Sequence, residues 1–167
     1  MPDSNFHIRK RNGFRDSGDY LRLAGPKNST DAAVQDYFYS ALHEIERFLS
    51  QFGVDSYNHR NRNNILVNQR IIQVRNRTVI GHPDHQRRNL QMTRTVENMT
   101  EFCYLSLYAM RQLKSYGSFP RNVQIPGQLG RNLFANIGDV NAAYTLLIRL
   151  LGSIARYEHV LRRRGFL

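Results

Sequence analysis

A chain of 167 residues with a 41% hydrophobic share is long enough to bury a sizeable core and too apolar to remain disordered, which favours one globular domain. Its net charge of +11 points to a polyanionic partner; every basic residue except Lys10, Lys27 and Lys114 is arginine, which suits phosphate gripping and base stacking better than solubility alone. Cys103 is the sole cysteine, which excludes an internal disulfide and a cysteine metal cluster, and with no membrane-length apolar run and no secretory signal the expectation is a soluble, cytoplasmic protein.

Residues 1–30 carry Arg9, Lys10, Arg11, Arg15 and Arg22 among Phe6, Phe14 and Tyr20, with glycines and polar residues between them. That mixture predicts a basic, extended N-terminal arm whose charges track phosphates and whose rings offer stacking faces to single-stranded nucleic acid. A leader with no specific role has the same composition. The rest, residues 31–167, reads as a single helical-bundle domain.

Ser29 or Thr30 is placed to cap a helix, Asp31 suits its first turn, and Val34, Phe38, Ala41, Ile45, Phe48 and Phe52 mark its apolar face up to Gly53. His43, Glu44 and Glu46 lie within it. A carboxylate here can orient a histidine across the bundle, although ordinary surface charge is the simpler account. The asparagine-rich segment between Val54 and Asn64 reads as a loop, and its Arg60 and Arg62 extend the basic surface.

Val67, Ile71, Val74 and Thr78 then recur at helical spacing, so a helix is expected to run into Gly81 and to stop at Pro83. On it Arg75 and His82 are seven residues apart, about two turns, and point the same way, whereas Arg77 lies well round from the apolar stripe. A guanidinium that grips phosphate bidentately, beside an imidazole that titrates near neutrality, is a minimal kit for cutting RNA without a metal. An Arg-Asn-Arg run that solvates a helix end is the plainer account of the same residues.

After His85, Arg87 and Arg88 a long helix is expected from Asn89 to Tyr116. Met92, Val96, Met99, Cys103, Ser106, Met110 and Leu113 form its stripe, which reads as helix–helix contact. His82, Asp84 and His85 crowd a proline, so no metal site is expected there. A linker from Gly117 to Gly138 carries Arg121 and Arg131. Asp139 caps a last helix bearing Val140, Tyr144, Leu147, Leu151, Ile154 and Leu161, and Arg162, Arg163 and Arg164 complement its C-terminal dipole before Gly165. The expected fold is all-α: an up-and-down helical bundle of four main helices with a basic N-terminal arm and apolar surface left over for another copy of the chain.

Arg75-Asn76 followed by His82 resembles the signature of HEPN domains, in which an arginine and a polar residue precede a histidine by a short, variable interval. The resemblance covers roughly the central third of the chain and implies a helical, commonly dimeric, metal-independent endoribonuclease of the toxin or phage-defence type. It implies His82 as general acid or base, Arg75 as the group that stabilises the phosphorane-like transition state, and Asn76 as an orienting neighbour. Single-stranded RNA is then the substrate, Arg9, Lys10, Arg11, Arg15, Arg60, Arg62, Arg77, Arg87, Arg88, Arg121 and Arg131 are the candidate nucleic-acid contacts, no cofactor or metal is needed, and a protein antitoxin is a possible partner. Where a well-known subgroup has a tyrosine two places after the histidine, this chain has Asp84, so a regulator that modifies that tyrosine is not implied.

A second, weaker likeness runs to rod-shaped plant virus coat proteins, through Arg70-Ile71-Ile72-Gln73-Val74 and Thr93-Arg94-Thr95-Val96-Glu97-Asn98. It implies a protein that coats nucleic acid in a polymer, without catalysis and located in a virion, although a further helix follows here.

Overall fold

The computed structural model describes residues 4–25, 29–51, 86–116, 140–163, 165 and 167, with 86–98 and 101 as backbone alone. These residues form α1 (Ser4–Leu23), α2 (Thr30–Ser50), α3 (Gln86–Tyr116) and α4 (Val140–Arg163), and among the described residues the architecture is all-helical. No described helix is long and apolar enough to cross a membrane.

Pairings between side chains fix the directions. Along α1 and α2, His7 meets His43, Arg11 meets Glu44, Phe14 stacks on Tyr39 and Ser17 donates to Asp36, so the two run antiparallel. Asp31 pairs with Lys114 and Arg111 donates to Tyr39, which sets α3 antiparallel to α2. Tyr37 against Tyr144 and Phe48 against Tyr157 set α4 parallel to α2. The described helices therefore alternate up and down.

Helix α2 is the centre of this bundle because it packs against α1, α3 and α4. Its sequence explains the position: Ala33, Val34, Tyr37, Phe38, Ala41, Ile45, Phe48 and Leu49 are all buried, a band wide enough for three neighbours. From α3 come Cys103, Tyr104, Leu107 and Met110, and from α4 come Ala143, Leu147, Leu150 and Ile154. Burial of each large apolar side chain contributes on the order of 2 kcal/mol, so this shared core dominates the stability of the described bundle.

Two helix ends follow their local chemistry. Ser29 sits at the N-cap position of α2, but its hydroxyl donates to the Leu21 carbonyl instead of capping, which ties the start of α2 to the end of α1. Gly165 takes φ 71, the left-handed conformation that closes a helix, and its N–H donates to the Arg162 carbonyl.

The extended arm expected over residues 1–30 requires correction, since residues 4–23 are a helix packed on α2. His7, Arg11, Phe14, Gly18 and Leu21 fall at alternating four- and three-residue steps and make up its inner stripe, but only two of them are apolar. Partners on α2 make that polar stripe stable. The expected helix over 67–81, the loop at 54–64 and the linker at 117–138 lie outside the described residues.

Candidate functional site

The α1–α2 interface carries the densest polar chemistry among the described residues. Glu44 is buried, and its two carboxylate oxygens are shared between two arginines: Arg11 donates at 2.7 Å from Nη1, while Arg47 donates from Nη2 at 2.7 Å and from Nε at 3.1 Å. Arg47 continues to Glu158 of α4 at 2.7 Å, and Gln51 donates to the same carboxylate. Burial works against the charge on Arg47, but the hydrogen bonds and fields of Glu44 and Glu158 outweigh it and raise the guanidinium pKa. Two cations and two anions form a charge-balanced chain that bolts α1, α2 and α4 together.

One turn towards the start of α1, His7 faces His43 and Glu46 of α2. The two Nδ1 atoms lie 3.2 Å apart, and Oε2 of Glu46 is 3.4 Å from Nδ1 of His7 and 3.3 Å from Nδ1 of His43. His43 and Glu46 share a helix face because they are three residues apart, and α1 brings His7 to them. Phe14 stacks on the His43 ring with centroids 5.7 Å apart, and Phe6 sits edge-on to His7 at 5.4 Å. The sequence suggests that a carboxylate of this helix can orient a histidine across the bundle; Glu46 stands against His7 in that way.

Several predicted nucleic-acid contacts are thereby relocated. Arg11 is held inside the fold by Glu44, Arg15 pairs with its neighbour Asp16, and Lys10 lies over the Phe6 ring at 5.9 Å. Arg9 is exposed. Phe6 and Phe14, expected as stacking faces for bases, are engaged by intramolecular rings instead, Phe6 edge-on to His43 and Phe14 stacked on Tyr39; Tyr20 remains 65% exposed. Arg87 and Arg88 lie in the first turn of α3, described as backbone alone. Arg75, Asn76 and His82, with Arg60, Arg62, Arg77, Arg121 and Arg131, lie outside the described residues.

A basic face that the sequence reading missed lies on α4. Arg149, Arg156 and Arg163 recur every seven residues and are exposed, opposite the buried Leu147, Leu150 and Ile154. Successive members stand about 10 Å apart along the axis. Exposed at the same time are Ile148, at 43%, and Arg162. The seven-residue recurrence was the available signal, hidden because the apolar stripe of the same helix has the same period.

Every acidic side chain described in the structure is engaged within the fold: Asp16 by Arg15, Asp19 by Tyr37 and Arg22, Asp31 by Lys114, Asp36 by Ser17, and Glu44, Glu46 and Glu158 as above. Among the described residues, exposed arginines stand on faces such as that of α4. The chain matches no family model, no curated protein and no solved structure.

Proposed function

We propose that this chain is an RNA-binding helical bundle that holds single-stranded RNA phosphates along the exposed Arg149, Arg156 and Arg163 of α4. The observation that carries the reading is the separation of charge among the described residues: their acidic groups are paired within the fold, whereas these three arginines stand on one outward face. Such a row tracks a polyanion and presents bidentate donors to successive phosphates. The HEPN-like Arg75, Asn76 and His82 extend the proposal to cleavage, in which the 2′-oxygen attacks the adjacent phosphate and expels the 5′-oxygen of the next nucleotide to leave a 2′,3′-cyclic phosphate, His82 takes the proton of the 2′-hydroxyl or gives one to the leaving 5′-oxygen, and Arg75 stabilises the developing charge. A cleft shared between two copies of the chain would fit that extension.

Two measurements on the full chain test the two layers separately. In a salt titration of binding to a single-stranded RNA, replacing Arg149, Arg156 and Arg163 with glutamine is expected to lower affinity and to reduce the slope of log affinity against log salt by about 2, since each phosphate contact contributes roughly 0.7. Unchanged affinity and slope would overturn the α4 interface. In a cleavage assay, His82→Ala is expected to lose about a hundredfold in rate while binding is kept, Arg77→Ala to matter much less, and activity to survive excess chelator. Tight binding by the parent chain with no cleavage under any condition would leave a coating protein in place of a ribonuclease.

A further inference from the structure

We infer that His7, His43 and Glu46 form a binding site for a divalent transition-metal ion of the zinc type, with three protein ligands and one exchangeable position. The three donor atoms make a nearly equilateral triangle with edges of 3.2, 3.3 and 3.4 Å. An ion held tetrahedrally at about 2.0–2.1 Å from nitrogen and oxygen ligands requires ligand–ligand separations of roughly 3.3–3.4 Å. Octahedral coordination at the same bond length would need edges of about 2.9 Å, which these atoms exceed. Imidazole nitrogens also select against calcium and magnesium, which take oxygen ligands.

With both imidazoles protonated at Nδ1, each donates to Glu46 and the two N–H groups stand face to face at 3.2 Å. A single cation at the centre satisfies all three donors together. The surroundings are those of a metal site: Phe6 and Phe14 wall the histidines, and the neighbouring Glu44 is already neutralised by Arg11 and Arg47. Access comes from the α2 side, where the His43 and Glu46 side chains are 15% and 17% exposed against 7% for His7. Three ligands on two helices leave a fourth position for water or another small ligand. The ion would also clamp the start of α1 to α2.

The site is independent of the proposed RNA chemistry, which invokes no metal, and the test reads metal alone. The full chain, stripped with chelator, is titrated with Zn²⁺ by calorimetry and with Co²⁺ by visible absorption. One Zn²⁺ per chain is expected, with the intense bands of four-coordinate cobalt. Glu46→Gln, which keeps the side-chain shape, and His43→Ala should each weaken binding by about a hundredfold or more, beyond the loss typical of an outer-shell partner, while His159→Ala, exposed on α4, should leave it unchanged. Should His43→Ala fail to fold, Glu46→Gln decides. Zinc affinity and a cobalt spectrum unaltered by Glu46→Gln, the weak spectrum of six-coordinate cobalt in the parent chain, or no stoichiometric zinc binding would each overturn the site.

Discussion

Two glycines on α1 carry opposite expectations for the same substitution. Gly18 is buried where the helix approaches Tyr37, and a Cβ there would stand 2.7 Å from Cε1 and 2.9 Å from Cδ1 of that ring. The ring has little freedom to retreat, because it is fully buried, its hydroxyl donates to Asp19 at 2.8 Å and Arg22 donates to it at 2.9 Å. Gly18→Ala is therefore expected to destabilise the protein by about 1–3 kcal/mol through overpacking. Gly13, exposed in the same helix with nothing within 4 Å of its position, has only the backbone cost of glycine. Gly13→Ala should stabilise by up to about 1 kcal/mol. Urea midpoints at constant m-value measure both, and a loss in Gly13→Ala as large as that in Gly18→Ala would remove the close-approach argument.

At the scale of elements, α1 shows how a helix forms where its own residues speak weakly for it. Its inner stripe holds a histidine, an arginine and a glycine, and the hydrophobic period that marks α2 and α4 is correspondingly faint. What completes it is the opposite face, where Glu44 takes Arg11, Ser40 donates to the Arg11 carbonyl and Phe14 finds Tyr39. Those partners are more than twenty residues away in sequence, so no local window contains them. The dependence can be tested at Glu44, which is 3% exposed. Glu44→Ala leaves Arg11 without its carboxylate and Arg47 with Glu158 alone, and the expected loss is about 2–3 kcal/mol, the scale of charge-assisted hydrogen bonds lost from a buried group. Circular dichroism during urea unfolding should show the loss, and α1 amides should exchange faster with solvent. A cost below about 1 kcal/mol, as for a surface pair, would refute the view that this chain of charges fastens α1.

For the whole molecule, burial of two weak acids predicts how stability responds to alkali. Burial pushes the Cys103 thiol from 9.0 up to about 12, with Arg149 acting in the opposite direction. Burial and then the Asp19 hydrogen bond also raise the Tyr37 hydroxyl above its ordinary value near 10.0, while Arg22 works against them. Both groups stay protonated in the folded chain at a pH where the unfolded chain releases its protons. Their stabilisation is thus fully present below the unfolded pKa values and is lost as pH rises, from about 9 to about 12 for the thiol and from about 10 upward for the tyrosine. Each contributes a fall of at most about 1.4 kcal/mol per pH unit. Unfolding free energies measured between pH 8 and pH 11 should decline with that sign, and Cys103→Ala should flatten the lower part of the curve; an unaltered slope in that variant would show that the thiol already titrates normally when folded. The helical class and the spans of α2, α3 and α4 were legible from the sequence, because apolar side chains at helical spacing must find a core whatever their neighbours are. The expected set of four counted a helix over 67–81, which lies outside the described residues, in place of α1, and the directions of the described helices come from side-chain pairings along them. How α1 folds, and the meeting of His7 with His43 and Glu46, were decided only in three dimensions, because the partner of a polar residue is chosen by packing between distant segments and leaves no period in the chain.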